Sequence, residues 1–214
     1  MRVVIAGGHG KIALLLEKVL ADRGDEAVGI VRNPAHTEDV ERAGARAVVL
    51  DLEQAGVAEV ADVVKGADAV VFAAGGGPDS GAARKETVDK GAAILLADAA
   101  EQAGVRRYVM VSSMGVDSAD PSSDDVFQVY LRAKKAADED LASRDLDWTI
   151  VRPGRLTDKP ATGRVQVGRL GRGEVTRADV AAVLAEALTT ESTFRATFDL
   201  LEGHQTVEAA LAGL

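Results

Sequence analysis

The first residues able to do chemistry stand at the start of the chain. The run Ala6-Gly7-Gly8-His9-Gly10-Lys11-Ile12-Ala13 spaces Gly7, Gly10 and Ala13 as G-x-x-G-x-x-A. Each small residue has a reason to be there. Gly7 allows a tight turn, Gly10 lets backbone approach a pyrophosphate, and Ala13 lets the following helix pack closely on the strand. That helix, entered through Lys11 and Ile12, offers free N–H groups and the positive end of its dipole to phosphate oxygens. An ordinary tight connection between a strand and a helix also needs glycine. What points to a dinucleotide is the position of this turn, directly after the first strand of an alternating chain.

The second strand bears on which dinucleotide. It ends Gly29-Ile30-Val31-Arg32-Asn33-Pro34, with Arg32 where an NAD site usually places an acid for the ribose hydroxyls. A guanidinium there can pair bidentately with a 2′-phosphate. No acidic residue stands at that strand end to repel it. The spacing therefore predicts NADP(H) in preference to NAD(H), against the plainer reading of Arg32 as a solvated strand-end arginine.

These groups need a frame. Short apolar, Val-rich runs predict strands over 2–6, 27–31, 45–50, 69–73, 107–112 and 148–151. They are apolar on both faces, as strands buried between two helical layers are. Amphipathic stretches between them predict helices over 11–23, 34–43, 57–65, 82–103 and 124–143. The alternation predicts an α/β fold with a doubly wound, mostly parallel sheet of the Rossmann type. After Pro153 the rhythm changes. A Gly/Arg-rich stretch over 163–173 precedes a helix opening at Thr176, with Asp179 at the capping-box spacing, then a strand over 197–201 and a helix over 206–211. The expectation is one domain over 1–214, with 154–214 a small substrate-side lobe rather than an independent unit.

Set in this order, the motifs resemble those of the short-chain dehydrogenase/reductase superfamily, in its atypical, NmrA-like branch of small NAD(P)H-binding proteins. The resemblance runs nearly the whole length. It takes in the turn at Gly7, Gly10 and Ala13, Arg32 after the second strand, and the Asp51-Leu52 pair after the third. It continues through Ala73-Ala74-Gly75 after the fourth strand, Ser112-Ser113 after the fifth, Tyr130-x-x-x-Lys134 on the helix, and Arg152-Pro153-Gly154 after the sixth strand. It implies cofactor contacts from Gly7, Gly8, His9, Gly10, Lys11, Ile12, Arg32, Asp51, Leu52, Ala73, Ala74, Gly75, Ser112, Lys134, Pro153 and Gly154.

The resemblance also implies a catalytic set of Tyr130, Lys134 and Ser113. Tyr130 and Lys134 are four apart on a predicted helix and so share a face. In catalytic relatives the tyrosine hydroxyl is the general acid/base and the lysine holds the nicotinamide ribose. A tyrosine titrates near ~10, so bringing it to neutrality asks for roughly 4 kcal/mol in favour of the phenolate. A neighbouring ammonium in a partly dry site can supply much of that. This chain departs from the pattern at Met114, where epimerase-like relatives often carry a third hydroxyl; Ser113, Ser118 or Ser122 would have to replace it.

Composition excludes several classes. Net charge is -9, which argues against nucleic acid or an anionic membrane as the main partner. With no cysteine there is no thiolate nucleophile, disulfide or thiolate metal site, and three scattered histidines predict no metal centre. No apolar run approaches the ~18 residues a membrane span needs. The chain opens straight into a strand with no leader pattern, so the expected location is the cytoplasm. A small-molecule substrate and a monomer or small homo-oligomer are expected. Its walls would be the loops over 75–84, 115–127 and 155–172. They hold little aromatic surface beyond Phe127, and the middle loop is acidic through Asp117, Asp120, Asp124 and Asp125. The Arg164, Arg169 and Arg172 stretch reads equally as an anion clamp or a lid.

Three functions fit. An NADPH-dependent reductase of a small carbonyl, quinone or flavin-like acceptor comes first. A non-catalytic NADP(H)-binding sensor comes second, favoured by Met114 and the small lobe. A sugar-nucleotide epimerase or dehydratase comes a distant third, because such enzymes carry a larger C-terminal lobe.

Overall fold

A computed structural model describes residues 1–77 and 80–214. The predicted wall over 75–84 therefore includes two positions, Pro78 and Asp79, that lie outside the described residues. The central sheet begins with β1 (Arg2–Ala6), β2 (Glu26–Val31), β3 (Arg46–Val49), β4 (Ala69–Phe72), β5 (Arg107–Val111) and β6 (Asp147–Pro153). All are parallel, in the order β3-β2-β1-β4-β5-β6. That is the Rossmann order, and its direction reverses between β1 and β4, where such sheets bind ligands at the strand C-termini.

Continuous apolar strands follow from burial on both faces. In β1, Val3 and Ile5 point into one layer, with Leu16 and Leu20 of α1 (Lys11–Asp22) and Val180 and Leu184 of α7 (Arg177–Ala187). Val4 and Ala6 point into the other, with Val60 and Val64 of α3 (Val57–Val64), Leu96 and Ala100 of α5 (Ala93–Ala103), and Leu141 of α6 (Val126–Ala142).

Two predicted helices are more complex than their hydrophobic pattern. The stretch over 34–43 is a 3₁₀ turn, Pro34–His36, followed by α2 (Thr37–Arg42). Asn33 opens the turn by accepting a hydrogen bond from the Ala35 N–H at 3.0 Å. The stretch over 82–103 is a short helical turn, α4 (Ala82–Arg84), a π-helical segment, Lys85–Ala92, and only then α5. The widened π turn buries Lys85, Val88, Asp89 and Ala92. Such segments are rare and are frequently found at functional sites.

Beyond β6 the structure corrects the expectation of a loop over 155–172, which holds two strands. Residues Arg164–Gly168 form β8, with Val165 and Val167 turned toward the core. β10 (Ala196–Glu202) lies parallel to β6, β8 pairs antiparallel to β10, and β11 (Gln205–Thr206) closes that edge. β7 (Arg155–Thr157) and β9 (Glu174–Thr176) form a separate two-stranded pair. Thus much of 154–214 extends the main sheet. At the start of α7, Thr176 caps by accepting from the Asp179 N–H at 2.9 Å. The Asp179 carboxylate accepts instead from the N–H groups of Thr162 and Gly163, so it anchors the turn that leads into β8. The chain ends in α8 (Val207–Ala212). No helix among the described residues is long and apolar enough to cross a membrane.

Candidate dinucleotide site

A cavity of about 330 Å³ opens at the C-terminal ends of β1, β2, β3 and β4. Its floor is the glycine turn. Gly7 has φ +82°, in the left-handed region, and a Cβ there would lie 2.6 Å from Ala74 Cα. Only glycine satisfies both the turn and the approach of the β4 end. The Gly10 N–H donates to the Gly7 carbonyl at 2.8 Å, and the Gly8 N–H donates to the Ile30 carbonyl at 2.9 Å. The second bond ties the turn to β2. α1 then starts at Gly10, which has no side chain to cap the helix. Its first-turn N–H groups are left for an anion. The cradle therefore fits a pyrophosphate, and the donors are backbone.

Of the predicted cofactor contacts, Gly7, His9, Gly10, Arg32, Asp51, Leu52, Ala73, Ala74 and Gly75 line this one cavity. Gly8 sits behind it, against Gly29. Lys11 turns outward to Asp158, 2.7 Å away, and Ile12 packs on the core. Ser112 and Pro153 are buried at the ends of β5 and β6. Gly154 has a packing reason of its own, since a Cβ there would meet Leu201 Cδ2 at 2.3 Å. Sequence reasoning missed His36, Glu53, Arg84 and Val88 on the cavity wall.

The rim is built from charges. His9 stacks on His36 with ring centroids 3.6 Å apart, and its Nε2 lies 2.7 Å from Asp39. Arg32 is half exposed, and it donates to Glu53 Oε2 at 2.9 Å. The acid missing from the end of β2 thus arrives from the loop after β3.

The predicted catalytic set occupies the α6 side. Asp125 starts this helix by accepting from the N–H groups of Phe127 and Gln128. Tyr130 is partly buried, beside Phe127 at 5.9 Å between ring centroids. Burial pushes its phenol up to about 12, against a smaller opposing effect of the Ser113 hydroxyl. Ser113 also donates to the Met114 carbonyl at 3.1 Å. Lys134 is 3% exposed; its ammonium donates to the Val111 carbonyl at 2.8 Å and lies 3.8 Å from Asp89. Burial lowers the pKa of this ammonium, opposed by Asp89 and Asp138. Asp89, itself buried, accepts from the Gly76 N–H at 3.0 Å and so fixes the β4 end. A second lysine, Lys85 of the π-helical segment, lies over the Tyr130 ring and donates to the Gly77 carbonyl at 2.5 Å. Further along α6, Asp138 accepts from Arg152 Nε at 2.9 Å, and Arg152 also reaches Asp117 at 2.7 Å. The arrangement can bind a dinucleotide along the strand ends and set a protonated phenol and two ammonium groups beyond it.

The comparisons agree with this geometry. A family model described as NAD(P)H-binding matches residues 7–191. The chain is 34% identical over 216 residues to a protein named uncharacterized sugar epimerase YhfK of Bacillus subtilis, covering all of both chains. Among solved structures it is 37% identical to a putative NAD-dependent epimerase/dehydratase from Bacillus halodurans, with TM-score 0.92 and full coverage of both. It is 27% identical to the oxidoreductase ylbE from Lactococcus lactis, with TM-score 0.89, covering 100% of this chain and 96% of the other. The chain belongs to the NAD(P)H-binding family.

Proposed function

We propose that the protein is an NADP(H)-dependent oxidoreductase that reduces a small carbonyl, quinone or flavin-like acceptor. The observation that carries the reading is the pairing of a phosphate cradle at Gly7–Gly10 with a protonated phenol, Tyr130, under the Lys85 ammonium. A reduced nicotinamide, when bound, supplies hydride. Tyr130 holds the proton a carbonyl oxygen would need, and the neighbouring ammonium favours the phenolate left behind. Arg32, half exposed on the rim, supports NADP(H) over NAD(H), since its guanidinium would give a bound 2′-phosphate a charge-assisted contact.

The names of the relatives favour a second reading, a sugar epimerase. Such an enzyme oxidises and re-reduces its substrate, so it consumes no net nucleotide. One assay separates the readings: NADPH oxidation followed against quinones, flavins, aldehydes and ketones, with sugar nucleotides tested for isomerisation. Steady NADPH consumption supports the reductase. Isomerisation without consumption would overturn it in favour of the epimerase, and tight binding without either reaction would leave a sensor.

A further inference from the structure

Three side chains from separate parts of the chain meet at the rim of the cavity. Arg32 follows β2, Glu53 lies in the loop after β3, and Arg84 ends the turn before the π-helical segment. A single oxygen, Glu53 Oε2, accepts from Arg32 at 2.9 Å and from Arg84 at 3.0 Å, while Oε1 accepts from the Thr87 hydroxyl at 2.7 Å. All three charged residues line the cavity. Burial alone would raise the Glu53 carboxyl. The Thr87 and Arg84 hydrogen bonds and the Arg84 and Arg32 charges outweigh it, and the group is held below the ordinary carboxylate range.

One carboxylate does not satisfy two guanidiniums. Each arginine has five N–H donors, and each gives only one to Glu53. The buried Nε of Arg84 has no hydrogen-bond partner among the described residues. The cluster keeps one net positive charge and several unspent donors on the rim of a cavity that also holds the phosphate cradle.

We propose that Arg84 and Arg32 together form the seat for the 2′-phosphate, with the Glu53 carboxylate as a built-in stand-in that occupies the phosphate's place between the two guanidiniums and competes with it. This rests on the NADP(H) reading above. A phosphate dianion offers three acceptor oxygens, which match forks converging from two sides, and its charge exceeds that of the carboxylate it competes with. Glu53 tempers the seat as well as filling it. With no phosphate present, its charge keeps the two arginines from repelling one another. Cofactor preference is then set by three residues rather than by Arg32 alone.

Calorimetric titration of the whole protein with NADP⁺ and NAD⁺ tests this without any assay of turnover. Arg84→Ala is expected to weaken NADP⁺ roughly tenfold or more, the size of one charge-assisted contact, and to leave NAD⁺ within about twofold. Glu53→Gln keeps the shape but removes the competing charge, and is expected to tighten NADP⁺ by roughly threefold or more. Thermal melts check that each variant is folded; if Arg84→Ala is not, Arg84→Lys takes its place, because it loses the fork and keeps a charge. Equal weakening of both nucleotides, or no change, in the Arg84 variant would overturn the proposal. So would a weaker NADP⁺ complex in Glu53→Gln. If Arg32→Ala then still erases an NADP⁺ preference, the NADP(H) reading survives without Arg84. Equal affinity for both nucleotides in the unmutated protein would remove both.

Discussion

The Lys85 ammonium lies 5.5 Å from the centroid of the Tyr130 ring. Lys134, one helical turn from Tyr130, directs its own ammonium to the Val111 carbonyl and to Asp89. The cation stacked on the phenol and the cation at the family's motif position are therefore different residues. This divides the labour. Lys134 joins α6 to the end of β5 and neutralises a buried acid, and Lys85 supplies positive charge at the tyrosine.

Lys134→Ala should lower stability as well as weaken nucleotide binding. It leaves Asp89, 1% exposed, buried without its cation, a loss of about 3–5 kcal/mol. Denaturant titration measures it; an unchanged midpoint would contradict the bridging role. Tyr130→Phe should leave nucleotide affinity nearly intact. On a carbonyl substrate its effect should stay below roughly 10³-fold, because a phenol near 12 is a poor match to a working pH near neutrality. Absorbance titration checks the proton directly, since the chain has only two tyrosines and burial raises both. Tyrosinate appearing near pH ~10 in the folded protein would show that the phenol is not so protected.

The two outer glycines of the turn should respond differently. Gly7→Ala forces a side chain into the left-handed region and onto Ala74, so the loss is of the fold, about 1–3 kcal/mol or more. Gly10 has φ -66°, which any residue adopts, and a Cβ there meets only the Gly7 carbonyl closely, at 3.1 Å. Gly10→Val should therefore remain folded while losing nucleotide binding. Melting curves beside calorimetry separate the two effects.

Glu17 of α1 is fully buried, and neither of its oxygens has a hydrogen-bond partner among the described residues. Its carboxyl fills the space left by two glycines. A Cβ at Gly29 would meet Glu17 Oε1 at 2.5 Å, and one at Gly8 would meet it at 3.0 Å. Burial raises this acid from its ordinary 4.5 to about 8. Between those values the folded chain keeps a proton that the unfolded chain has released. Stability should therefore fall as pH rises from about 4.5 to about 8, then level off. Glu17→Gln should remove that slope and be more stable than the native protein at pH 8. Chemical denaturation at several pH values tests it, and parallel curves for the two proteins would refute it.

Arg107, at the start of β5, is a buried guanidinium with a structural task. It donates to the backbone carbonyls of Asp147, Ala187 and Leu188 and to the hydroxyls of Thr149 and Thr193. It also lies 4.3 Å from the Phe194 ring centroid. Burial lowers it from its usual range to about 10. Arg107→Ala orphans several buried acceptors at once and should cost at least about 3 kcal/mol, with nucleotide affinity unchanged in whatever fraction folds. Unchanged stability would show that water takes over those acceptors.

The sequence shows much of this frame and little of the rim. Apolar strands such as β1 and β4 are visible because burial on both faces leaves a continuous Val-rich run. The turn at Gly7 is visible because backbone geometry restricts residue type. Glu53 and Arg84 are 31 residues apart on separate connections, so no spacing brings them together before the fold does. The π-helical segment shares its hydrophobic pattern with the α-helix it continues into. β8 does carry a period of two in Arg164-Val165-Gln166-Val167, but five residues among glycines give a weak signal.

β10 lies between β6 and β8, although the chain reaches β8 about thirty residues earlier. A nascent chain emerging from the ribosome therefore makes β8 before anything exists for it to pair with. The nucleotide half of the sheet, β1 to β6, can assemble while that strand waits. Only once Glu202 has emerged can β10 slot against β6 and give β8 its partner. At synthesis rates of roughly 5–20 residues per second, this leaves a bare β6 edge exposed for some seconds. In that interval another molecule's strand can occupy the place of β10, so exchange of this segment between copies is the misassembly to expect when the protein is made at high levels.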